Sequence, residues 1–296
     1  MQSLFNRIKS LEPIETDFDV NDAPLTGIKA VLFDIYGTLI ISASGDIGSS
    51  NWKGQSAIEV LSEFKVELSH KLNQEALGLH VVHCFEDSII YSHQKSKELG
   101  LPNPEIDILE IWKTVLQTLK NDGHITKMPE DLPYHEFAMS FELYNNAVYP
   151  MPRMVETLES IHAKGLPLGI VSNAQFFTPM ILKHFFKVDT FRDSLPLFHE
   201  RLQVYSFATG RAKPDVFLYK LMAKNLTELG LAPQECLYVG NDMLNDISPA
   251  AEVGFKTVLF AGDERSLRLR ENHPRCINCK PDRSVTQLSQ ILKILS

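Results

Sequence analysis

From residue 150 onward the chain alternates short apolar runs with amphipathic stretches. The apolar runs are too continuous for strands with one exposed face, which favours strands buried on both faces. Between them, apolar residues recur at helical spacing, with proline near the starts or glycine at the ends. The predicted strands are LPLGIVSNA (166–174), CLYVGND (236–242) and FKTVLFAG (255–262), preceded by a similar run at Lys29–Asp34; the predicted helices are PRMVETLESIHAKG (152–165), Pro214–Leu229, SPAAEVGF (248–255) and SVTQLSQILKIL (284–295).

Residues of about 50–145 have a different pattern. Apolar residues recur there at helical spacing over long stretches, and Pro- and Gly-containing turn signals separate the stretches. This block is predicted to be wholly helical. Its Trp112, within LEIWKTVL, belongs to an apolar stripe at helical spacing and is expected in a core.

Strand and helix alternation with short connections predicts an α/β fold with a doubly wound parallel sheet. The helical block then becomes an insertion after the first strand. We predict an N-terminal extension at 1–26, an α/β core at 27–43 and 148–296, and a helical insertion at 44–147.

Composition narrows the function classes. With 44% hydrophobic and 22% charged residues the chain resembles ordinary globular proteins, and its formal charge of −8 disfavours nonspecific binding to nucleic acid or to an anionic membrane. No apolar run approaches the length of a membrane span, and the N-terminus does not read as a secretory signal. Four cysteines do not form a disulfide framework, so we expect a cytoplasmic protein with reduced thiols. Its oligomeric state is left open.

Polar residues end three of the predicted strands abruptly. Asp34 follows VLF, Ser172 and Asn173 follow GIV, and Asn241 and Asp242 follow LYVG. In an open parallel sheet, chemistry gathers beyond the carboxyl ends of the strands.

A cation adds to this group of residues, because Lys213 comes just before a helix that begins near Pro214. Together, the carboxylates, hydroxyl, amides and ammonium suit covalent catalysis at a carboxylate acting on an anionic small molecule.

The motifs D-x-x-G-T, V-S-N, K-P-D and G-N-D-M-L-N-D, in this order, resemble those of the haloacid dehalogenase superfamily. That resemblance implies a Rossmann-like core with a mobile cap, the helical insertion, placed after the first strand. It also implies that Asp34 is the nucleophile, attacking phosphorus or carbon to form an aspartyl intermediate. Gly37 and Thr38 would form the tight turn that exposes the carboxylate.

The resemblance assigns the remaining residues as well. Ser172 and the backbone N–H of Asn173 would bind a transferring phosphoryl group, and Lys213 would neutralise charge on the nucleophile and phosphoryl oxygens. Asp34, the backbone carbonyl of Tyr36, and Asp242, Asp246 or both would hold Mg²⁺, a hard cation that prefers oxygen. The fourth motif usually begins with an acid, but that position is Asn241 here, so the direct metal ligand of this motif is left open among Asn241, Asp242 and Asp246.

The residue at position 36 bears on whether the enzyme is a phosphatase or a dehalogenase. Most phosphatases of this superfamily have a second aspartate there as general acid and base, and a phenol with a pKa near 10 replaces that function poorly. Tyrosine resembles instead the 2-haloacid dehalogenases, whose halide leaves without a proton. However, those enzymes carry an arginine shortly after the first strand, whereas the cation in Ile40–Gln55 is Lys53.

The acidic fourth motif favours a Mg²⁺-dependent phosphatase acting on a small phosphorylated metabolite. Its leaving group would tolerate a weak general acid, as aryl and acyl phosphates do. A dehalogenase and a catalytically weakened binding protein remain the alternatives. Retention of Asp34, Ser172, Lys213 and both late acids argues against the weakened protein.

Overall fold

In the computed structural model, six parallel strands form the central sheet in the order β10-β9-β8-β1-β6-β7. The structure describes residues 2–44, 52–189 and 194–296, so the predicted boundary at 43–44 borders residues 45–51, which lie outside the described part. The strands are β1 (Ala30–Phe33), β2 (Ile40–Ser42), β3 (Glu67–Leu68), β4 (Ile125–Lys127), β5 (Val148–Pro150), β6 (Leu168–Ser172), β7 (Phe198–Tyr205), β8 (Cys236–Gly240), β9 (Lys256–Phe260) and β10 (Arg283–Val285).

The helices fall into two compact units of the chain. A helical unit comprises Met1–Lys9 with Ser49–Ala147, and a sheet unit comprises Ser10–Gly48 with Val148–Ser296. The α-helices are α1 (Gly54–Glu63), α2 (Gln74–Glu98), α3 (Ile108–Asn121), α4 (Tyr134–Asn145), α5 (Met154–Ala163), α6 (Thr178–Phe185), α7 (Ser206–Thr209), α8 (Val216–Glu228), α9 (Ser248–Glu252) and α10 (Ile291–Ile294). Shorter 3₁₀-helices span Gln2–Arg7, Pro233–Glu235 and Leu288–Gln290, and a π-helical turn spans Met243–Ile247.

The predicted parallel α/β fold is confirmed. Every residue of β1, β6 and β8 is buried, which explains their continuous apolar runs. Apolar residues of α8 cluster with residues of these central strands, as Leu218 and Met222 do with Leu32 and Val171. No helix in the described ranges combines the length and the hydrophobicity that crossing a bilayer requires.

The sheet edges were not predicted correctly. Strand β7 was missed because its middle residues, including Glu200 and Arg201, are exposed and polar. The stretch 284–295 was predicted as one helix, but its first residues continue β10, and only Leu288–Gln290 and α10 are helical. Pairing of Val285 with Phe260 of β9 accounts for the difference, because a tertiary contact overrides the local helical pattern.

The N-terminal segment runs along the β10 edge of the sheet unit. Asn21 forms an antiparallel bridge with Ser284 of β10, and the backbone N–H of Leu25 donates to the carbonyl of Ile294. Farther back, the backbone N–H of Ile14 donates to Asp263 Oδ1. These contacts fix residues 14–25 against the C-terminal part of the chain.

The helical unit is built around a cluster of aromatic rings, most of them packed edge to face or tilted. Trp112 lies 4.6–4.9 Å from the rings of Phe85, Phe137 and Phe141, and Trp52 packs against two of the same rings. The unit is not wholly helical as predicted, because β3 and β4 pair as a two-stranded antiparallel ladder. The predicted core position of Trp112 is confirmed by its burial.

Replacing Trp112 by alanine is expected to destabilise the helical unit by about 3–5 kcal/mol, because it opens a cavity among the rings. Trp112→Phe should cost far less, since it keeps an aromatic ring and removes an indole N–H that has no acceptor in the described part of the chain. Urea unfolding followed by circular dichroism measures both, with the exposed Leu99→Ala as control. Equal losses for the alanine and phenylalanine variants would contradict the ring-packing argument.

Candidate active site

The turn after β1 places the carboxylate of Asp34 at the carboxyl end of the sheet, where the side chain is almost fully buried. The backbone N–H of Asp34 still donates to Val239 of β8, and the Ile35 carbonyl then accepts the N–H groups of residues 38–40. Gly37 has φ +81°, and a Cβ there would lie 2.6 Å from both Asn241 Nδ2 and Ser266 Cβ. Glycine is therefore required by both the conformation and the space.

Lys213 joins two carboxylates from different strand ends. Its Nζ lies 2.5 Å from Asp34 Oδ1 and 2.6 Å from Asp246 Oδ1, and all three side chains are buried. Burial by itself lowers the pKa of the lysine, but Asp246 and Asp34 outweigh it and hold that pKa above the ordinary value. The ammonium group is therefore charged at neutral pH.

Asn173 fixes the backbone of Lys213. The Lys213 N–H donates to Asn173 Oδ1 at 2.7 Å, and Asn173 Nδ2 lies 3.4 Å from the Lys213 carbonyl oxygen. Ser172, the last residue of β6, is fully buried, and its hydroxyl donates to the carbonyl of Asn173. The side chain of Asn173 thus orients the lysine, and the predicted phosphoryl-binding role of Ser172 stays a prediction.

Asp246 holds the end of β8 to the lysine. Its Oδ2 accepts the backbone N–H groups of Asn241 and Asp242, while its Oδ1 lies 3.0 Å from the Tyr238 hydroxyl in addition to Lys213. Gly240 permits this approach, because a Cβ there would lie 2.5 Å from the Asp246 side chain. Burial raises the pKa of Asp246 to about 7, and Lys213 opposes that shift.

Asn241 and Asp242 follow β8 at the same edge. Asn241 Oδ1 accepts the Thr38 hydroxyl and its Nδ2 donates to the Ser266 carbonyl, which ties the first and fourth motifs together. Asp242 caps the π-helical turn, its Oδ1 accepting the N–H groups of Leu244 and Asn245. The Tyr36 hydroxyl lies 2.9 Å from Thr178 Oγ1 of α6.

These side chains line one small cavity of about 40 Å³, which has room for an ion or one or two water molecules. The predicted residues Gly37, Thr38 and Ser172 are not part of its lining. The lining consists of Asp34, Tyr36, Asn173, Lys213, Asn241, Asp242 and Asp246, with Asn245, Ser266 and Arg268. A larger cavity of about 640 Å³ beside Glu12 and Thr286 contains none of the predicted site residues.

Sequence reasoning missed two of the arginines in the segment after β9, Arg268 and Arg270. Arg268 lines the cavity, and Arg270 Nη2 lies 2.8 Å from Asp242 Oδ2. The comparison with the dehalogenases concerned Ile40–Gln55, whereas these arginines follow β9, and the sheet brings the loop after β9 beside the loop after β8. The alternation Arg268-Leu269-Arg270 was the available signal. Buried Tyr238 was also missed, because it lies inside an apolar run that indicates the core of a strand.

The donor set accommodates Mg²⁺ most readily at Asp34, because the carboxylate oxygens of Asp242, like those of Asp246, already accept hydrogen bonds. Asp34 Oδ2 accepts no hydrogen bond from the described residues, whereas both Asp246 oxygens are occupied by Lys213, Tyr238 and two backbone N–H groups. No three His, Cys, Asp or Glu side chains in the described ranges are arranged to hold a metal. Mg²⁺ needs only one or two protein carboxylates beside water and substrate oxygens, so these residues fit it.

Residues 28–254 match the model of the haloacid dehalogenase-like hydrolase family, so the chain belongs to that family of hydrolytic enzymes. The phosphoglycolate phosphatase of Escherichia coli K12 is 30% identical over 246 residues, which cover 78% of this chain and 80% of that one. The glyceraldehyde 3-phosphate phosphatase of Methanocaldococcus jannaschii is 28% identical over 147 residues, and the match spans 49% of this chain and 58% of that enzyme.

Among solved structures, a 2-haloacid dehalogenase from Pseudomonas syringae pv. Tomato DC3000 superposes with a TM-score of 0.55 at 19% identity. The match covers 90% of this chain and 97% of that one. At this identity the similarity shows the fold. The chain is therefore a haloacid dehalogenase-like hydrolase with phosphatases among its relatives.

Lys213→Met is expected to cost about 3–5 kcal/mol of stability near neutral pH, because Asp34 and Asp246 lose their shared cation. Without it the pKa of Asp246, which burial already raises, lies farther above its unfolded value. The variant should therefore gain stability as the pH falls from 8 to 5, relative to the wild type. Urea unfolding across this range measures the effect, with Lys256→Gln as a control whose lysine pairs with Asp282 outside the cavity. A pH-independent deficit would contradict the shared-cation interpretation.

Proposed function

We propose that the enzyme is a phosphatase that hydrolyses a small phosphorylated metabolite through an aspartyl-phosphate on Asp34. The observation that supports this most directly is the 2.5 Å contact between Asp34 Oδ1 and Lys213 Nζ at the carboxyl end of β1. The ammonium fixes one carboxylate oxygen and leaves Oδ2, without a hydrogen-bond partner among the described residues, to attack.

In the first step, Asp34 Oδ2 bonds to phosphorus and the bond to the leaving oxygen breaks. Water then attacks phosphorus, which releases phosphate and restores the carboxylate. Lys213 offsets the repulsion between the nucleophile and the phosphoryl oxygens throughout. In the first step the leaving oxygen takes its electron pair with little help from a protein acid, because Tyr36 occupies the usual acid position.

Mg²⁺ belongs to this proposal. Asp34, the Tyr36 carbonyl and Asp242 would hold it, and when bound it neutralises phosphoryl charge. Asp246 orients Lys213 and the end of β8 through its contacts with the lysine and with the backbone N–H groups of Asn241 and Asp242.

The phenol of Tyr36 shapes the substrate preference. Its hydroxyl is engaged with Thr178, and at neutral pH it rarely accepts a proton. Aryl phosphates, acyl phosphates or substrates with their own acid are therefore preferred over alkyl phosphates. The phosphoglycolate and glyceraldehyde 3-phosphate activities of the relatives support a small anionic substrate. All four cysteines are free thiols, which agrees with the cytoplasmic location we propose.

A dehalogenase is the second candidate, and Arg268 is the observation that favours it. This guanidinium lines the same cavity as Asp34 and could receive the carboxylate of a 2-haloacid. Attack of Asp34 on carbon would then need no general acid, which agrees with Tyr36.

Asp34→Asn is expected to reduce phosphate release by about a thousandfold or more, because the amide cannot form the acyl phosphate. EDTA should abolish wild-type turnover, and added Mg²⁺ should restore it. A phosphate panel with 2-chloropropionate measures both, with the exposed Glu252→Gln as control. EDTA-resistant chloride release would favour the dehalogenase. Inability to hydrolyse any substrate, or to trap beryllium fluoride on Asp34, would favour a binding protein.

Tyr36→Asp is expected to raise kcat for alkyl phosphates about tenfold or more, while aryl phosphates change little. The new carboxyl can protonate a poor leaving group, and general acid–base groups contribute roughly 10²–10⁴-fold. Rates across a series of leaving-group pKa values measure the slope, with Tyr36→Phe as the control for loss of the Thr178 contact. A wild-type enzyme with equal rates across the series would refute the missing-acid argument.

A further inference from the structure

Asp242, one of the proposed magnesium ligands, is already surrounded by donors. Its Oδ1 accepts the backbone N–H groups of Leu244 and Asn245, and its Oδ2 lies 3.1 Å from Asn245 Nδ2 and 2.8 Å from Arg270 Nη2. The side chain is almost fully buried. An ion that coordinates this carboxylate therefore has to displace at least one of these donors.

Arg270 is the donor that an ion would displace most easily. Its contact with Asp242 is forked, because Nε also lies 3.3–3.4 Å from the two carboxylate oxygens. The backbone N–H groups that donate to Asp242 belong to the π-helical turn. The guanidinium of Arg270, in contrast, is about one-third exposed and lies at the end of a flexible side chain. Moving it breaks no secondary structure.

The backbone of this segment is held next to Asp242. The Arg268 N–H donates to the Asn241 carbonyl at 3.0 Å, and the Met243 N–H donates to the Arg268 carbonyl at 2.9 Å. These two bonds lie on either side of Asp242 and fix the backbone of Arg268. Arg270, two residues farther along, is therefore held close to Asp242. Arg270 itself has φ +51°, a left-handed conformation that turns the chain shortly after these backbone bonds.

The charges around the cavity are balanced without a metal. Three carboxylates, Asp34, Asp242 and Asp246, are opposed by Lys213 and Arg268 in the cavity wall and by Arg270 on Asp242. A divalent ion therefore enters a site with no excess negative charge and meets a guanidinium directly on its ligand. The ion and the guanidinium of Arg270 are both cations, and they repel each other when both contact one buried carboxylate.

We propose that Arg270 competes with Mg²⁺ for Asp242, so that the guanidinium leaves the carboxylate when the ion binds. This inference rests on the magnesium dependence proposed above and adds a residue to it. Arg270 stabilises Asp242 in the absence of metal and weakens the affinity for the ion. It is a positioning residue, since it acts through Asp242.

Arg270→Gln is expected to lower the Kd for Mg²⁺ about tenfold, which isothermal titration calorimetry of the metal-free protein measures directly. Its melting temperature in EDTA should fall because Asp242 loses its counter-charge, and Mg²⁺ should raise it more than in the wild type. Arg270→Lys keeps a cation and should retain a Kd within about twofold of the wild type. Lys256→Gln removes the same charge away from the cavity and should leave the Kd unchanged.

A purely structural role for Arg270 would lower the melting temperature of the glutamine variant and leave its Kd unchanged or higher; that result overturns the inference alone. Absence of Mg²⁺ binding to both proteins overturns the magnesium proposal as well. If the glutamine variant does not fold, the Nε–H resonances of arginine-labelled wild type carry the test. One of them should shift with the midpoint of magnesium binding, and no shift would contradict displacement.

Discussion

The arrangement of the site depends on one buried ammonium group held between two carboxylates. Lys213 comes from the loop before α8, whereas Asp34 and Asp246 follow β1 and β8, so the pairings tie three distant parts of the chain at one rim of the sheet. The lysine can be buried because both acids compensate it, and Asn173 fixes its backbone. Asp246 in turn gathers the backbone N–H groups that begin the turn after β8. Asp34, Lys213 and the fourth motif thus form one electrostatic unit.

Much of this unit could be predicted from sequence because its parts lie at the ends of buried strands. The apolar runs of β1, β6 and β8 identify the central strands, and the residues that end them identify the rim. Edge elements were harder: β7 is half exposed, and the short β10 depends on pairing with β9. Local pattern cannot predict an element whose stability comes from its neighbours.

The cations at the rim show where residue patterns lose information. Lys213 belongs to a recognisable motif, but Arg268 and Arg270 follow a strand whose loop has none. Only the order of β8 and β9 in the sheet brings that loop to Asp242. The roles of polar side chains were also hidden, since the amide of Asn173 orients Lys213 and the hydroxyl of Tyr238 lies beside Asp246. Such contacts are properties of packing rather than of spacing.

The two edge strands of the sheet, β10 and β7, are protected in ways that affect association between copies of the protein. An outer strand with free amides can recruit a strand from another molecule and begin aggregation. The β10 side is shielded by the chain's own N-terminal segment, through the bridge between Asn21 and Ser284. The β7 side instead displays the charged Glu200 and Arg201, which disfavour such recruitment. Residues preceding the first strand therefore contribute to colloidal behaviour as well as to the fold.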